Sequence, residues 1–155
     1  MPAYPKAELE AALAHYTKVV EGCSASGDWS PFADLFTEDV HYTEHAYGEM
    51  DGRETVRAWI TSVMAPFPHM RFPSDWTAYD EENGAVVMLI KNLLEHPTDP
   101  RGEPFWFPNW TRLGTCPDGT YAYTRLWFRV SRTPDGPIGK RWHRWAGTGN
   151  ICETT

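Results

Sequence analysis

His41 and His45 stand four residues apart in a run where polar and apolar residues alternate, from Val40 to Tyr47. In an extended strand, successive side chains point to opposite faces, so His41, Thr43, His45 and Tyr47 share one face and Glu44 takes the other. His45 reads either as a satisfied structural histidine or as a general base, since an imidazole with its ordinary pKa of about 6.5 has a large proton-accepting fraction near neutral pH. At the usual rise per residue the two histidines lie about 13 Å apart, too far to share a metal ion, so no metal site is expected. Tyr16 brings a phenol onto the apolar side of a helical pattern, as a core tyrosine whose hydroxyl finds one partner or as a hydrogen-bond donor to a ligand. Phe105, Phe107, Asn109, Thr111 and Leu113 alternate onto one strand face, mixing aromatic surface with two hydrogen-bonding groups, as an orienting apolar pocket requires. Asn92 shares a face with Met88, Ile90 and Leu94, where an amide is either a buried scaffold group or a ligand contact. His69 and His96 adjoin prolines and are expected in solvent. Cys23, Cys116 and Cys152 are odd in number and lack a Cys-x-x-Cys pair, which points away from a disulfide framework or a zinc knuckle.

The elements that position these groups follow from periodicity. Leu9, Leu13, Tyr16, Val19, Val20 and Cys23 recur at helical spacing, giving a first helix over Lys6 to Cys23. After a polar break from Ser24 to Asp28, Ser30 as N-cap and Pro31 at the first helical position predict a short helix ending near Glu38, with Phe32, Leu35 and Phe36 on one side. Val40 to Tyr47 reads as a strand and Asp51-Gly52 as a turn. Arg53-Glu54 then opens a third helix, carrying Val56, Trp59, Ile60 and Val63, that stops at Pro66-Phe67-Pro68. Four strands follow, over Phe72 to Asp80, Ala85 to Glu95, Phe105 to Cys116 and Tyr121 to Val130. Glu82-Asn83-Gly84 and Pro117-Asp118-Gly119 suit tight hairpins, and Pro97 to Pro104 a longer loop. This order predicts an α+β fold in which a curved, mostly antiparallel sheet wraps around three helices from the N-terminal half. Residues 1–133 form the domain and 134–155 a tail, read as a short capping helix or a disordered end.

Bulk properties narrow the partners. The chain has 155 residues, 41% of them hydrophobic, enough for one domain with a real core. A net charge of −7 argues against nucleic acid as a partner. The one basic concentration, Arg125, Arg129, Arg132, Lys140, Arg141 and Arg144, reads as a solvated edge and tail. No segment approaches the roughly 20 apolar residues that span a bilayer, and no basic region precedes an apolar run at the N-terminus. A cytoplasmic location without membrane partners is therefore expected. Eight Trp, seven Phe and seven Tyr are a heavy aromatic load, expected mostly in core or interface.

Three stretches, WSPFADLFTEDV (29–40), EHAYG (44–48) and DGRETVRAW (51–59), resemble the nuclear transport factor 2-like superfamily. Within it the chain is most similar to SnoaL-like polyketide cyclases and ketosteroid isomerase. KNLLEHP (91–97), FPNWTRL (107–113) and PDGTY (117–121) extend the resemblance over nearly the whole chain. It implies a cone-shaped α+β barrel whose mouth admits a small apolar molecule, and a sheet-to-sheet homodimer, with Trp106, Trp110 and Arg112 on the free face.

The resemblance also implies roles. The isomerase base, three residues before a glycine, falls on His45 relative to Gly48. The oxyanion-donating phenol on the first helix falls on Tyr16, and the second oxyanion donor on Thr111, a hydroxyl where the family carries a protonated carboxylic acid. Phe128 takes an aromatic pocket position. Asn92, Asn109, Trp76, Met88 and Phe107 complete the expected substrate-binding set, with Trp76 expected to report occupancy. Thr124 to Phe128 carries no carboxylate for cyclase-type chemistry. Val87, Leu89, Lys91 and Leu93 likewise carry no aspartate for an epoxide-opening relay. The expected activity is cofactor-independent proton transfer, of isomerase, lyase or cyclase-like type, on an apolar carbonyl compound such as a polyketide or steroid-like molecule. The alternative is a non-catalytic domain of the same fold that binds a small hydrophobic ligand or another protein.

Overall fold

The computed structural model describes residues 4–44, 46–96, 98–99, 101–115 and, for the backbone, 121–128. The expected domain boundary at 133/134, and the tail, lie outside them.

Helix α1 runs Lys6–Ser26 and buries Leu9, Ala12, Tyr16, Val20, Cys23 and Ser24, the face expected from the spacing. It continues three residues past Cys23 and ends where Gly27 adopts φ 78° and donates its N–H to the Cys23 carbonyl at 2.8 Å. A left-handed residue at this position suits glycine. The next element is a 3-10 helix over Ser30–Leu35, shorter than the expected helix to Glu38. Pro31 opens it as expected, but Ser30 makes no capping bond; Asp28 Oδ1 instead accepts the Ser30 N–H at 2.9 Å. The chain is already extended at Phe36, where Arg53 Nε holds the backbone carbonyl at 2.7 Å.

Strand β1 spans Phe36–Glu44, and a reversal leads into the short β2, Gly48–Asp51. One continuous strand to Tyr47 was expected. β2 escaped the sequence reading because Gly-Glu-Met-Asp offers a single apolar residue, too little for an alternation signal. Gly52 N–H donates to the Val40 carbonyl at 2.8 Å, and α2, Arg53–Met64, buries Val56, Ile60 and Met64. β3 (Ser74–Asp80), β4 (Ala85–Leu94), β5 (Phe105–Thr115) and β6 (Tyr121–Phe128) lie within a residue or two of their expected bounds.

One six-stranded sheet results, in the order β2-β1-β6-β5-β4-β3. β1 and β6 pair in parallel, and the other neighbours are antiparallel. Its inner face carries Val40 and Tyr42 of β1, Val86, Met88 and Ile90 of β4, and Leu113 of β5, against Leu9, Tyr16, Val20, Val56 and Ile60 of the helices. Burying one such aliphatic side chain is worth roughly 1.5–3 kcal/mol, so the helices are held to the sheet mainly by apolar area. Aromatic rings stitch the elements together. Tyr16–Phe32, Phe32–Phe36, Phe36–Tyr42 and Tyr42–Trp59 centroids lie 6.3, 5.3, 5.5 and 5.1 Å apart, linking α1, the 3-10 helix, β1 and α2.

Candidate active-site cavity

Between helices and sheet lies a cavity of about 780 Å³, within the usual range for a small-molecule site. Its apolar wall comes from Val20 of α1, Trp29 and Phe32, Trp59, Ile60, Val63 and Met64 of α2, and Phe67, Met70 and Phe72 beyond it. Its polar groups are Tyr16, Tyr42 and Tyr47, Ser62 of α2, and Asn92, Asn109 and Thr111 on β4 and β5. The expected site residues Tyr16, Asn92, Phe107, Asn109 and Thr111 thus share one cavity.

Asn92, Asn109 and Thr111 are 5%, 3% and 1% exposed, and all three are hydrogen-bonded in series. Thr111 Oγ1 donates to Asn109 Oδ1 at 3.1 Å, Asn109 Nδ2 to Asn92 Oδ1 at 3.2 Å, and Asn92 Nδ2 to the Phe107 carbonyl at 3.1 Å. Register explains the chain: Asn92 pairs with Phe107 and Ile90 with Asn109, so the two asparagines are diagonal neighbours on the inner face.

Tyr16 and Tyr42 are both buried, and burial pushes both phenols above the ordinary tyrosine range. At Tyr42 the nearby Tyr16 and Glu44 push in the same direction. Both hydroxyls therefore stay protonated at neutral pH and act as hydrogen-bond donors, not as bases. Trp59 packs on Tyr42 and Tyr47, and its buried indole N–H has no hydrogen-bond partner among the described residues.

On β1 the inner face belongs to the even positions. Val40, Tyr42 and Glu44 are buried, whereas His41 and Thr43 are only partly covered. His41 Nδ1 meets Asp51 Oδ1, its register partner on β2, at 2.6 Å. Glu44, on the opposite face from His41 as expected, is 1% exposed, does not line the cavity and was passed over in the sequence reading. Its Oε2 accepts the backbone N–H groups of Ala46 and Tyr47 at 2.6 and 2.7 Å, holding the turn that follows it. Tyr42 was missed likewise, although the apolar parity Val40–Tyr42 was the signal that could have found it. His45 lies outside the described residues. Phe128 pairs its backbone with Asn109, and its side chain lies outside them as well.

Two expected contacts fall elsewhere. Trp76 is 50% exposed and stacks edge-on against Trp110 on the outer face of the sheet, because past a register shift it pairs with Leu89, which lies on the face of β4 opposite the buried Met88 and Ile90. Met88 sits in the core at 1% exposure and does not line the cavity. Among the described residues Trp29 and Trp59 are the indoles that line it. His69 and His96 are exposed as expected, and His69 Nδ1 hydrogen-bonds the Ser24 carbonyl at 2.8 Å. Cys23 is a buried free thiol, while Cys116 and Cys152 lie outside the described residues. No helix among the described residues is long and apolar enough to cross a membrane.

Comparison with known proteins places this geometry. No curated protein sequence matches the chain. Among solved structures, a nuclear transport factor 2-like protein from Anabaena variabilis is 18% identical with a TM-score of 0.65, over 84% of this chain and 96% of that one. SalBIII, described as an epoxide hydrolase/cyclase-like enzyme in pyran ring formation in the polyether salinomycin, is 14% identical with a TM-score of 0.63, over 84% and 95%. A hypothetical protein of ketosteroid isomerase-like fold from Catenulispora acidiphila, in complex with trimethylamine, is 20% identical with a TM-score of 0.56, over 83% and 89%. At these identities the likeness is one of fold, the cone-shaped α+β fold expected from the sequence. The model of the SnoaL-like domain matches residues 16–122, most of the described chain, and on that match the protein belongs to the SnoaL-like family.

Proposed function

We propose that the protein is a cofactor-independent acid/base enzyme, of isomerase, lyase or cyclase-like type, acting on a small apolar carbonyl compound such as a polyketide or steroid-like molecule. The observation that carries this reading is the cavity itself: apolar walls enclosing two protonated phenols and a line of amide and hydroxyl groups. In such a site an apolar body is desolvated while its oxygen meets fixed donors, which stabilises charge developing as a neighbouring C–H proton leaves. His45 is the base in this reading. It takes the proton from the carbon next to the carbonyl and returns it to another carbon, or keeps it while a leaving group departs. Tyr16 donates to the oxygen that becomes negative, and Thr111 supports the opposite wall.

A second reading, binding without catalysis, draws on one observation. Among the described residues that line the cavity there is no carboxylate, imidazole or amine. In the catalytic reading the base is His45, which lies outside the described residues.

A homodimer joined through the outer sheet face belongs to the same proposal. Trp76 and Trp106, 50% and 49% exposed, flank Trp110 there, and Lys91 lies 4.7 Å over the Trp106 ring. Clustered exposed indoles on one flat face suit a second copy of the same face. A cytoplasmic location completes the proposal.

Titration with a panel of apolar ketones, read by the fluorescence of Trp29 and Trp59, tests the ligand class. Saturable quenching by one structural class supports the reading, and no response across the panel contradicts it. If binding is found, His45→Ala separates the two readings: turnover lost with binding kept supports catalysis.

A further inference from the structure

The Phe107 carbonyl fixes the polarity of the cavity's amide chain. A backbone carbonyl only accepts, so Asn92 must turn an N–H toward it, at 3.1 Å. Asn92 Oδ1 then faces Asn109, which must answer with its own N–H, at 3.2 Å. Asn109 Oδ1 in turn faces Thr111, whose hydroxyl has to donate, at 3.1 Å. Flipping either amide would set two acceptors against each other. Pro108, opposite Lys91, costs no β4–β5 bond, because the Lys91 N–H turns the other way to the Pro73 carbonyl at 2.9 Å.

The proton count follows. Thr111 has one hydroxyl proton, and it is committed to Asn109. Each amide nitrogen carries two hydrogens and spends one in the chain, so Asn92 and Asn109 each keep an N–H without a partner among the described residues. Both side chains line the cavity and are at least nine-tenths buried, where a spare donor seeks an acceptor. They also stand apart from Tyr42. Its row across the sheet runs through Thr124 to Leu113, and Asn109 is four residues further along β5, about 13 Å at the usual rise.

We infer that Asn92 and Asn109 are the pair that reads an oxygen acceptor on the ligand, so the cavity selects an apolar body bearing a ketone, ester or enolate oxygen over the matching hydrocarbon. Thr111 positions Asn109 and does not donate to the ligand. This rests on the reading that the cavity holds an apolar carbonyl compound, and it names residues for oxygen recognition that are separate from Tyr16.

The test is a matched pair of probes, 2-decalone and decalin, titrated by tryptophan fluorescence against wild type, Asn92→Leu, Asn109→Leu and Tyr16→Phe. Wild type should prefer the ketone by about tenfold. Each leucine variant should lower the ratio severalfold while keeping decalin affinity, and Tyr16→Phe, which lacks the phenol assigned to the same oxygen, should lower it without bringing it to one. A preference unchanged in both leucine variants, or abolished in Tyr16→Phe, overturns the inference. Binding of both probes by wild type without preference overturns it alone, whereas binding of neither overturns the cavity reading with it. Should the leucine variants fail to fold by circular dichroism, the infrared carbonyl stretch of 13C-labelled 2-decalone bound to Tyr16→Phe decides. A stretch below its value in a hydrocarbon solvent supports the amide donors, and one at that value overturns them.

Discussion

Tyr16 and Tyr42 are the residues whose chemistry burial changes most clearly. Their phenols are held above the ordinary tyrosine value of about 10, so the unfolded chain releases these protons before the folded one does. The folded state then binds more protons, and stability falls with rising pH. The stabilising difference is complete below pH about 10 and is lost as pH climbs from there toward the folded values. Each phenol contributes a slope of about 1.4 kcal/mol per pH unit in that window. Urea unfolding between pH 9 and 11 should show this fall, and Tyr16→Phe should remove its share of the slope, the rest coming from Tyr42 and from the Cys23 thiol, which burial also raises; an unchanged slope would place the Tyr16 hydroxyl in solvent. Tyr16, Asn92, Asn109 and Thr111 were legible as polar residues on apolar faces. Their bonding was not, because the diagonal Asn92–Asn109 contact depends on the β4–β5 register and 17 intervening residues. Trp76 misled because alternation alone does not say which face of a strand meets the helices.

At the scale of elements, the site's shape depends on how α1 and α2 are tied to the segments beside them. Arg57 on α2 donates to the Ser30 carbonyl at 2.5 Å and to Asp34 Oδ1 at 2.6 Å while also pairing with Glu54, and the bonds to Glu54 and then Asp34 raise its pKa above the ordinary arginine value. Arg57→Ala should destabilise the fold by about 1–2 kcal/mol, since the bonds are charge-assisted but the side chain is partly in water. Thermal unfolding at low and high salt checks this, and the difference from wild type should shrink as salt rises. Gly27→Ala should cost about 1–2 kcal/mol for its positive φ, with a contact added, because a Cβ there meets His69 Cε1 at 3.2 Å and Pro68 Cβ at 3.3 Å. Denaturant midpoints measure it, and an unchanged midpoint would argue against the left-handed helix end. Helix and strand order were legible because each long element carries a clear 3.6 or 2.0 period. β2 was not, since four residues are too few to show one; the helix opening at Ser30-Pro31 was legible, but it ends three residues before Glu38 and is 3-10.

The whole molecule is a sheet whose two faces do different work. The inner face meets the helices and closes the cavity; the outer one carries Trp76, Trp106 and Trp110. If the outer face joins two copies, sedimentation should give a dimer at micromolar concentration. The double variant Trp76→Lys/Trp106→Lys should then shift it to monomer with an unchanged circular dichroism spectrum. A wild-type monomer at that concentration would remove the dimer from the account. The family and the cone were readable as a resemblance carried by the motifs between Trp29 and Trp59, whereas the close spacing of helix, strand and helix said only that they pack on one sheet. The chemistry was less readable, because the same cone serves many reactions and only the cavity's donors distinguish them. The most direct test of the central claim is deuterium wash-in beside the carbonyl of a bound apolar ketone in D2O, followed by NMR for wild type and His45→Ala. Exchange above the buffer rate in wild type, falling about 10²–10⁴-fold in His45→Ala with ketone binding unchanged, is the predicted result. Exchange at the buffer rate with saturable binding would contradict catalysis and leave the cavity as a binding site.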